Sequence, residues 1–254
     1  LSRLRAELRK RDLDGIIVTN LAHVRYLSGF SGSSAFLLVL PRKSYLVTDF
    51  RYREQAASEA TEGTTPFIWD KSPYAELLAN GILAPGITLG FQEGATSVAQ
   101  LDTLRKALRK TKLVKTGNIV RDLTIAKTEP EIASVAKAAR IAARVYEDVL
   151  AITSPGMREM DLASEISYRG RRYGSEGDAF NIIVASGPRG ALPHGRASAK
   201  KIRKGELVTV DFGCTVDGLH SDMTRTFAVG EPGPFGRKIY DIVLESEQRG
   251  VKAA

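Results

Sequence analysis

The feature that most constrains the fold is a pair of apolar segments joined by Asp217-Gly218, within GELVTVDFGCTVDGLHSDMTRTFAVG (205–230). Asp-Gly is a preferred pair for a two-residue type I′ hairpin turn, and such a turn fixes which residues of the two strands face each other. The predicted facing pairs are Val216–Leu219, Thr215–His220, Cys214–Ser221, Gly213–Asp222, Phe212–Met223 and Asp211–Thr224. A slip of one residue would turn the side chains of one strand to the other face, so the register is a specific prediction.

In this register two aspartates share one face of the hairpin. Directly opposed residues point to the same side of a sheet, and side chains alternate along each strand. Asp211 and Asp222 therefore become diagonal neighbours, with roughly 7 Å or less between their Cβ atoms. The opposite face is mostly apolar and suits a core; it carries Val210, Phe212, Cys214, Ser221 and Met223.

The shared face indicates a metal site. Aspartate is depleted from strands, and two close carboxylates repel each other unless a proton or a cation lies between them. Two divalent ions about 3.5–4 Å apart can be held by such carboxylates. Gly213 is predicted to leave an empty volume beside the pair, and Thr224 to donate a hydrogen bond to Asp211. The alternative is a turn aspartate plus an edge-strand aspartate that faces water.

The remaining pattern predicts an α/β (α+β) fold in two domains, residues 1–122 and 123–254. In the first domain, short apolar strands alternate with helical segments, which indicates a mixed sheet. In the second, Thr128, Pro130 and Glu131 mark the start of a long helix, and Gly174 ends a second helix. A strand, the loop GPRGALPHGRAS (187–198) and the hairpin follow.

Composition narrows the classes of function. The chain is 43% hydrophobic and 26% charged, and it holds no apolar run long enough for a membrane span. Its first residues predict an amphipathic helix and not a signal peptide. A single cysteine, Cys214, rules out an internal disulfide and a cysteine zinc cluster, and it favours a reducing, cytoplasmic location. The net charge of +8 permits an anionic partner, but the basic residues are spread out, so nucleic-acid binding is not indicated.

At this point the sequence resembles a known family. VTVDFGCTVDGLHSDMTRTF (208–227) and IIVASGPRGALPHGRAS (182–198) resemble the metal and histidine segments of the pita-bread metallopeptidases. This family includes Xaa-Pro dipeptidases (prolidases), Xaa-Pro aminopeptidases and methionine aminopeptidases. NLAHVRYLSGFSGSSAFLLVL (20–40) resembles the creatinase/prolidase-type N-terminal domain, which methionine aminopeptidases lack. The resemblance covers nearly the whole chain and favours the proline-specific branch.

The resemblance implies a function and assigns roles. Asp211 is expected to chelate one ion and Asp222 to bridge two, with manganese as the expected metal and cobalt or zinc as alternatives. His194 is expected to contact the substrate and to steady the charge that develops at the scissile amide. A metal-bound hydroxide at this dinuclear site would hydrolyse the Xaa-Pro bond of dipeptides or peptide N-termini. Many relatives are homodimers.

Three other positions have an expected role and an alternative. Phe180 is expected to line the substrate pocket, with plain core packing as its alternative. His220 shares the predicted metal face and is expected to contact substrate, with a structural role as its alternative. Arg189 stands where relatives more often have a small polar residue, so it either tunes substrate choice or is a solvated loop charge.

The chain also departs from the family. The remaining ligands of the family, one histidine and two glutamates, belong to the second half of the catalytic domain, and we expect this chain to stop before them. A different class of function is therefore also considered: a non-catalytic pita-bread module that binds protein or nucleic acid. Retention of Asp211, Asp222 and His194 favours the enzyme.

Overall fold

The computed structural model describes residues 1–253, and the chain divides into two compact units, Leu1–Lys127 and the part from Thr128 onward. The first unit is built on a six-stranded mixed sheet in the order β4-β3-β2-β1-β5-β6. Its strands are β1 (Gly15–Val18), β2 (Ala35–Val39), β3 (Ser44–Asp49), β4 (Thr64–Trp69), β5 (Thr88–Phe91) and β6 (Lys112–Lys115). Its helices are α1 (Ser2–Lys10), α2 (Leu21–Ser28), α3 (Arg53–Glu59), α4 (Pro73–Ala79), α5 (Val98–Ala107) and α6 (Ile119–Ile125).

The sheet of the first unit is buried on both faces. Strand β2 pairs antiparallel with β1 and β3, whereas the other three pairings are parallel. All four residues of β1 are buried, as expected for a central strand covered by helices on both sides. Two apolar clusters lie in this unit, one containing Ile16 and Val18 and the other containing Ile17. The mixed α/β architecture predicted from the sequence is confirmed.

The second unit combines three helices with a small antiparallel sheet. Its helices are α7 (Glu129–Ile152), α8 (Glu159–Arg172) and α9 (Pro234–Ala253). Its strands are β7 (Ile183–Ser186), β8 (Leu207–Phe212), β9 (Thr215–Val216), β10 (Leu219–His220) and β11 (Met223–Ala228). Strands β11, β8 and β7 form one sheet in that order, and β9 and β10 form a short hairpin. A 3-10 helix, Gly187–Ala191, follows β7.

One apolar core joins α7 and α8 to this sheet. Val145 of α7 and Leu162 of α8 are fully buried and belong to the same cluster as Val208 and Val210 of β8. In β8 the burial alternates along the strand, so one face of the sheet meets the helices and the other does not. The face that bears Asp211 is the one turned away from the core. No residue of α9 is buried, and no helix within residues 1–253 is both long and apolar enough to cross a membrane.

Candidate metal centre

The Asp217-Gly218 turn forms as the sequence predicts. Both residues have positive φ angles, 51° and 72°, as a type I′ turn requires. The carboxylate of Asp217 also accepts a hydrogen bond of 2.7 Å from the hydroxyl of Ser134, which ties the turn to α7. The pairs recorded in the two ladders are Val216–Leu219, Thr215–His220, Phe212–Met223 and Asp211–Thr224. These four pairs confirm the predicted register.

The register brings Asp211 and Asp222 to one face. Asp222 lies two residues before Thr224, which is directly opposite Asp211, so the two carboxylates are diagonal neighbours on adjacent strands. Phe212 is buried and Met223 packs against the core, which fixes the opposite orientation for the residues that alternate with them. Asp211 is half-buried and Asp222 is exposed. The pair is therefore accessible from the side of the sheet that the helices leave open.

The prediction that Gly213 leaves an empty volume beside the pair is wrong. A Cβ atom at position 213 would lie 1.8 Å from the carbonyl oxygen of Ser221 and 2.9 Å from the Cβ atom of Ala179. The amide of Ala179 also donates a hydrogen bond of 3.0 Å to the carbonyl of Gly213. Glycine is needed here because two neighbouring segments approach its backbone, and the space of the missing side chain is already filled.

The donor chemistry of the pair suits a hard divalent cation. The hydroxyl of Thr224 donates a hydrogen bond of 2.9 Å to Oδ1 of Asp211, at the position where the sequence predicts one. Within residues 1–253, no lysine, arginine or histidine forms an ion pair with either carboxylate. Two like charges are thus held on one face with no protein cation between them. Carboxylate oxygens are the ligands that magnesium, calcium and manganese prefer, so these residues fit a metal ion.

The ligand set of the described residues stops at this pair. Among residues 1–253, no group of three or more histidine, cysteine, aspartate or glutamate side chains is placed to hold a metal ion. Cys214 points to the opposite side of its strand and belongs to the apolar core. Burial raises the pKa of its thiol, so this side chain stays a neutral core group.

His220 lies on the same hairpin, close in sequence to Asp222. Its Nδ1 atom is 3.0 Å from the hydroxyl oxygen of Thr215, the residue directly opposite, and the side chain as a whole is exposed. Thr215 is itself buried, so this hydrogen bond holds one end of the imidazole against the hairpin. The other ring nitrogen is then free to meet a ligand.

His194 lies on the loop that begins with the 3-10 helix Gly187–Ala191, and its side chain is exposed. Two residues later, Arg196 forms an isolated antiparallel bridge to Ile183, and Ile183 is paired on its other side with Asp211. Arg196 is therefore two strand positions away from Asp211, which corresponds to about 10 Å at the usual strand spacing. The loop that carries His194 thus returns to the sheet at Arg196, level with Asp211 across the strands.

Phe180 lies beside an open groove of the second unit. The groove has a volume of about 700 Å³. Phe180 and Asn181 line it together with Arg196 and with Ser164 and Ser167 of α8. Phe180 is half-buried, so its ring contributes an apolar wall without being a full member of the core.

Arg189 is not a solvated loop charge. Its Nε atom is 3.0 Å from a carboxylate oxygen of Glu159, and its Nη2 atom donates a hydrogen bond of 2.7 Å to the carbonyl of Arg196. Glu159 is completely buried at the start of α8. No local pattern in the sequence marks this glutamate, because an acidic residue in the first turn of a helix is common and does not reveal distant partners.

Comparison with known proteins identifies the family. The profile of metallopeptidase family M24 matches residues 133–254, and the creatinase/prolidase N-terminal domain matches residues 1–123. The Xaa-Pro dipeptidase of Pyrococcus furiosus is 33% identical over 100% of this chain and 71% of its own length.

Two solved structures extend this likeness to the fold. The Xaa-Pro dipeptidase from Bacillus anthracis is 36% identical with a TM-score of 0.90, over 98% of this chain and 70% of that one. An X-Pro aminopeptidase from Thermotoga maritima is 30% identical with a TM-score of 0.87 over the same shares. The chain therefore belongs to metallopeptidase family M24, a family of metal-dependent hydrolases, and carries the creatinase/prolidase type of N-terminal domain.

Proposed function

We propose that this protein hydrolyses the peptide bond before proline, in dipeptides or at peptide N-termini, with two divalent metal ions held at Asp211 and Asp222. The observation that carries the proposal is the register of the hairpin, which puts both carboxylates on one open face with no protein cation between them. The Xaa-Pro dipeptidases and aminopeptidases among the relatives support the substrate class. Residues 1–253 offer no larger preformed group of ligands, so the proposal leaves the remaining coordination positions to water and further ligands.

Each side chain has a task in this proposal. Asp211 and Asp222 would hold the ions, and the hydrogen bond from Thr224 orients the carboxylate of Asp211. When bound, the ions lower the pKa of water and polarise the carbonyl of the scissile bond. His194 contacts the substrate and stabilises the negative charge that grows on that bond in the transition state. Phe180 offers an apolar wall to the substrate, and His220 contacts it from the hairpin.

Several finer properties belong to the same proposal. Manganese stays the ion expected from the resemblance, with cobalt or zinc as alternatives, and carboxylate ligands are compatible with manganese. A homodimer stays a prediction from the resemblance, and a cytoplasmic location stays a prediction from the single cysteine. No observation favours the alternative of a non-catalytic binding module, since the matched family is one of peptidases.

Hydrolysis by metal-stripped protein, with and without added manganese, tests the proposal. The substrates are a Gly-Pro dipeptide, an Xaa-Pro-Xaa tripeptide and, as controls, the same peptides with alanine in place of proline. We expect cleavage that requires manganese and proline, and the peptide that is cut decides between dipeptidase and aminopeptidase. Cleavage of the alanine peptides at an equal rate would contradict the proline preference. Binding of manganese without cleavage of any peptide would favour the binding module.

A further inference from the structure

One buried carboxylate binds both ends of the loop that carries His194. Glu159 is completely buried at the start of α8. One of its oxygens accepts hydrogen bonds from the amide and the hydroxyl of Ser186, at 2.8 and 2.9 Å. The other accepts hydrogen bonds from the amide and the hydroxyl of Ser198, at 3.2 and 2.6 Å. Ser186 and Ser198 are the residues immediately before and after residues 187–197, so a single side chain fixes both ends of this loop.

Arg189, which belongs to the loop itself, adds a second set of contacts that hold it. Its guanidinium reaches Oε2 of Glu159 through Nε and the carbonyl of Arg196 through Nη2. The first contact joins the loop to α8, and the second joins the two sides of the loop to each other. A planar guanidinium can direct two donors toward two fixed acceptors, which an ammonium group does with less geometric control.

Neighbouring groups also hold the two ends of this loop in place. Lys200 donates hydrogen bonds of 2.7 Å to the hydroxyl of Ser186 and 2.6 Å to a carboxylate oxygen of Glu206. Gly187 has a φ of 56°, and a Cβ atom there would lie 2.4 Å from Oε1 of Glu206. The backbone also contributes, since the amides of Glu159 and Met160 donate to the carbonyls of Lys200 and Ser198. The loop therefore begins and ends on a connected polar network.

The network is costly to leave incomplete. A buried carboxylate is tolerated only when hydrogen bonds and an opposite charge compensate its lost hydration. Glu159 receives five such contacts, from Ser186, Ser198 and Arg189. Any movement of the loop that breaks these contacts would leave the charge buried without partners. The arrangement therefore favours one conformation of residues 187–197 strongly over others.

We propose that Glu159 and Arg189 are positioning residues that hold the loop of residues 187–197 in a single conformation, so that His194 is presented to the substrate bound at the aspartate-bearing face. The inference rests on the proposed substrate contact of His194. The position of Arg196 supports it, because the loop returns to the sheet in the row of Asp211 while Arg189 holds the carbonyl of that residue. Arg189 thus acts through the loop and does not touch the substrate.

We call the contacts of Glu159 and Arg189 that hold residues 187–197 the clamp. Two measurements that need no peptidase activity test it. The variants are Glu159→Gln and its matched control Glu165→Gln, which removes a half-buried carboxylate of the same helix that forms an ion pair with Arg169. In Glu159→Gln we expect amide hydrogen exchange of residues 187–197 to accelerate about tenfold or more, while α7 keeps its protection. The chain has only three histidines, so the Hε1 proton of His194 can be followed by NMR and should broaden or shift. Glu165→Gln should change neither signal.

A double-mutant cycle tests the consequence for turnover on an Xaa-Pro peptide. We expect Glu159→Gln to lower kcat roughly 10- to 100-fold with unchanged manganese content, because a displaced group loses its alignment with the substrate. In a His194→Ala background the same change should cost little more, since no imidazole is left to position. A structural defect alone would lower turnover in both backgrounds. Arg189→Lys should lower kcat without a full loss. Lysine keeps the positive charge but lacks the planar guanidinium that directs two donors to two acceptors.

The outcomes separate this inference from the proposed function. Unchanged exchange and an unchanged His194 signal in Glu159→Gln would overturn the clamp. An altered loop with additive losses in the double mutant would overturn the positioning of His194. A wild-type protein that cleaves no Xaa-Pro peptide would count against the proposed function, whereas the exchange and NMR results would still decide the clamp. Should Glu159→Gln fail to fold, Arg189→Met carries the same measurements, because it removes the second fastening and leaves the buried serines in place.

Discussion

Single residues determine how the two aspartates differ. Asp211 is half-buried and accepts a hydrogen bond from Thr224, so its carboxylate is oriented before any ion arrives. Asp222 is exposed, and within residues 1–253 no donor or cation engages it. One of the two proposed ligands is thus oriented in advance, whereas the other is not held by neighbouring side chains. Loss of the Asp222 carboxylate should weaken the binding of a metal ion without disturbing the hairpin.

Asp222→Asn tests this difference against Asp217→Asn on the same hairpin. We expect Asp222→Asn to weaken manganese binding at least about tenfold, because the proposed ligand loses its charge and one anionic oxygen. Asp217→Asn should bind as the wild type does, since Asn-Gly supports the same type I′ turn. Isothermal titration calorimetry on metal-stripped proteins measures both affinities. Equal affinity in the two variants would remove Asp222 from the metal centre.

Gly213 provides a second test at this scale, on stability. Gly213→Ala should lower the free energy of unfolding by about 3 kcal/mol, because the new Cβ atom would meet the backbone oxygen of Ser221, which cannot rotate away. Gly177→Ala is the control, since the nearest atom to its Cβ would be a guanidinium nitrogen of Arg171 at 3.7 Å. Urea denaturation of both variants gives the comparison. A tolerated Gly213→Ala would mean that the two strands can separate at this point without loss.

At the scale of elements, local patterns were readable from the sequence and distant contacts were not. The Asp217-Gly218 turn fixed the pairing of β8 with β11 because hairpin register depends on residues adjacent in the chain. The prediction for Gly213 is wrong because two neighbours fill the space beside it: the carbonyl of Ser221 on the facing segment of the hairpin, and Ala179 from outside the hairpin. Glu159 and Arg189 lie thirty positions apart, and nothing in either local sequence links them. The eight residues of α2 made it too short for a clear helical period.

The start of α8 should make the stability of the protein depend on pH. Burial alone would raise the pKa of Glu159, but hydrogen bonds from Ser198 and Ser186 and the charge of Arg189 outweigh it and lower the pKa. The unfolded chain therefore binds the proton first as the pH falls. The stabilisation by this carboxylate is fully present above the ordinary glutamate pKa of about 4.3 and is lost as the pH falls through the lowered value.

Comparison with Glu159→Gln isolates this contribution from that of other carboxylates. We expect the difference in unfolding free energy between the wild type and Glu159→Gln to be largest near pH 6 and to shrink steadily below about pH 4.3. Urea denaturation at a series of pH values measures it. Glu165→Gln should differ from the wild type by no more than about 0.5 kcal/mol at pH 6, because it removes a single i,i+4 ion pair within one helix. A difference that grew with acidity would reverse the assigned direction of the pKa change.

At the scale of the whole molecule, each unit has a core of its own. The cluster around Val145 and Val208 lies from Thr128 onward, and the two clusters around the β1 strand lie within Leu1–Lys127. The domain limits at 122 and 123 stay a prediction. Because both aspartates belong to the second unit, metal binding offers a way to stabilise one unit selectively and so to ask whether the two unfold independently.

Manganese at 100 times its dissociation constant should stabilise the unit that holds it by about 2.7 kcal/mol. Hydrogen exchange in mild denaturant, read peptide by peptide, should therefore slow from residue 128 onward and stay unchanged in residues 1–127. Asp222→Asn should abolish the effect and Asp217→Asn should retain it, a result that would attribute the stabilisation to the carboxylate of Asp222. Equal slowing in both parts of the chain would show that they unfold as one cooperative body, and the two domains would then not be independent folding units.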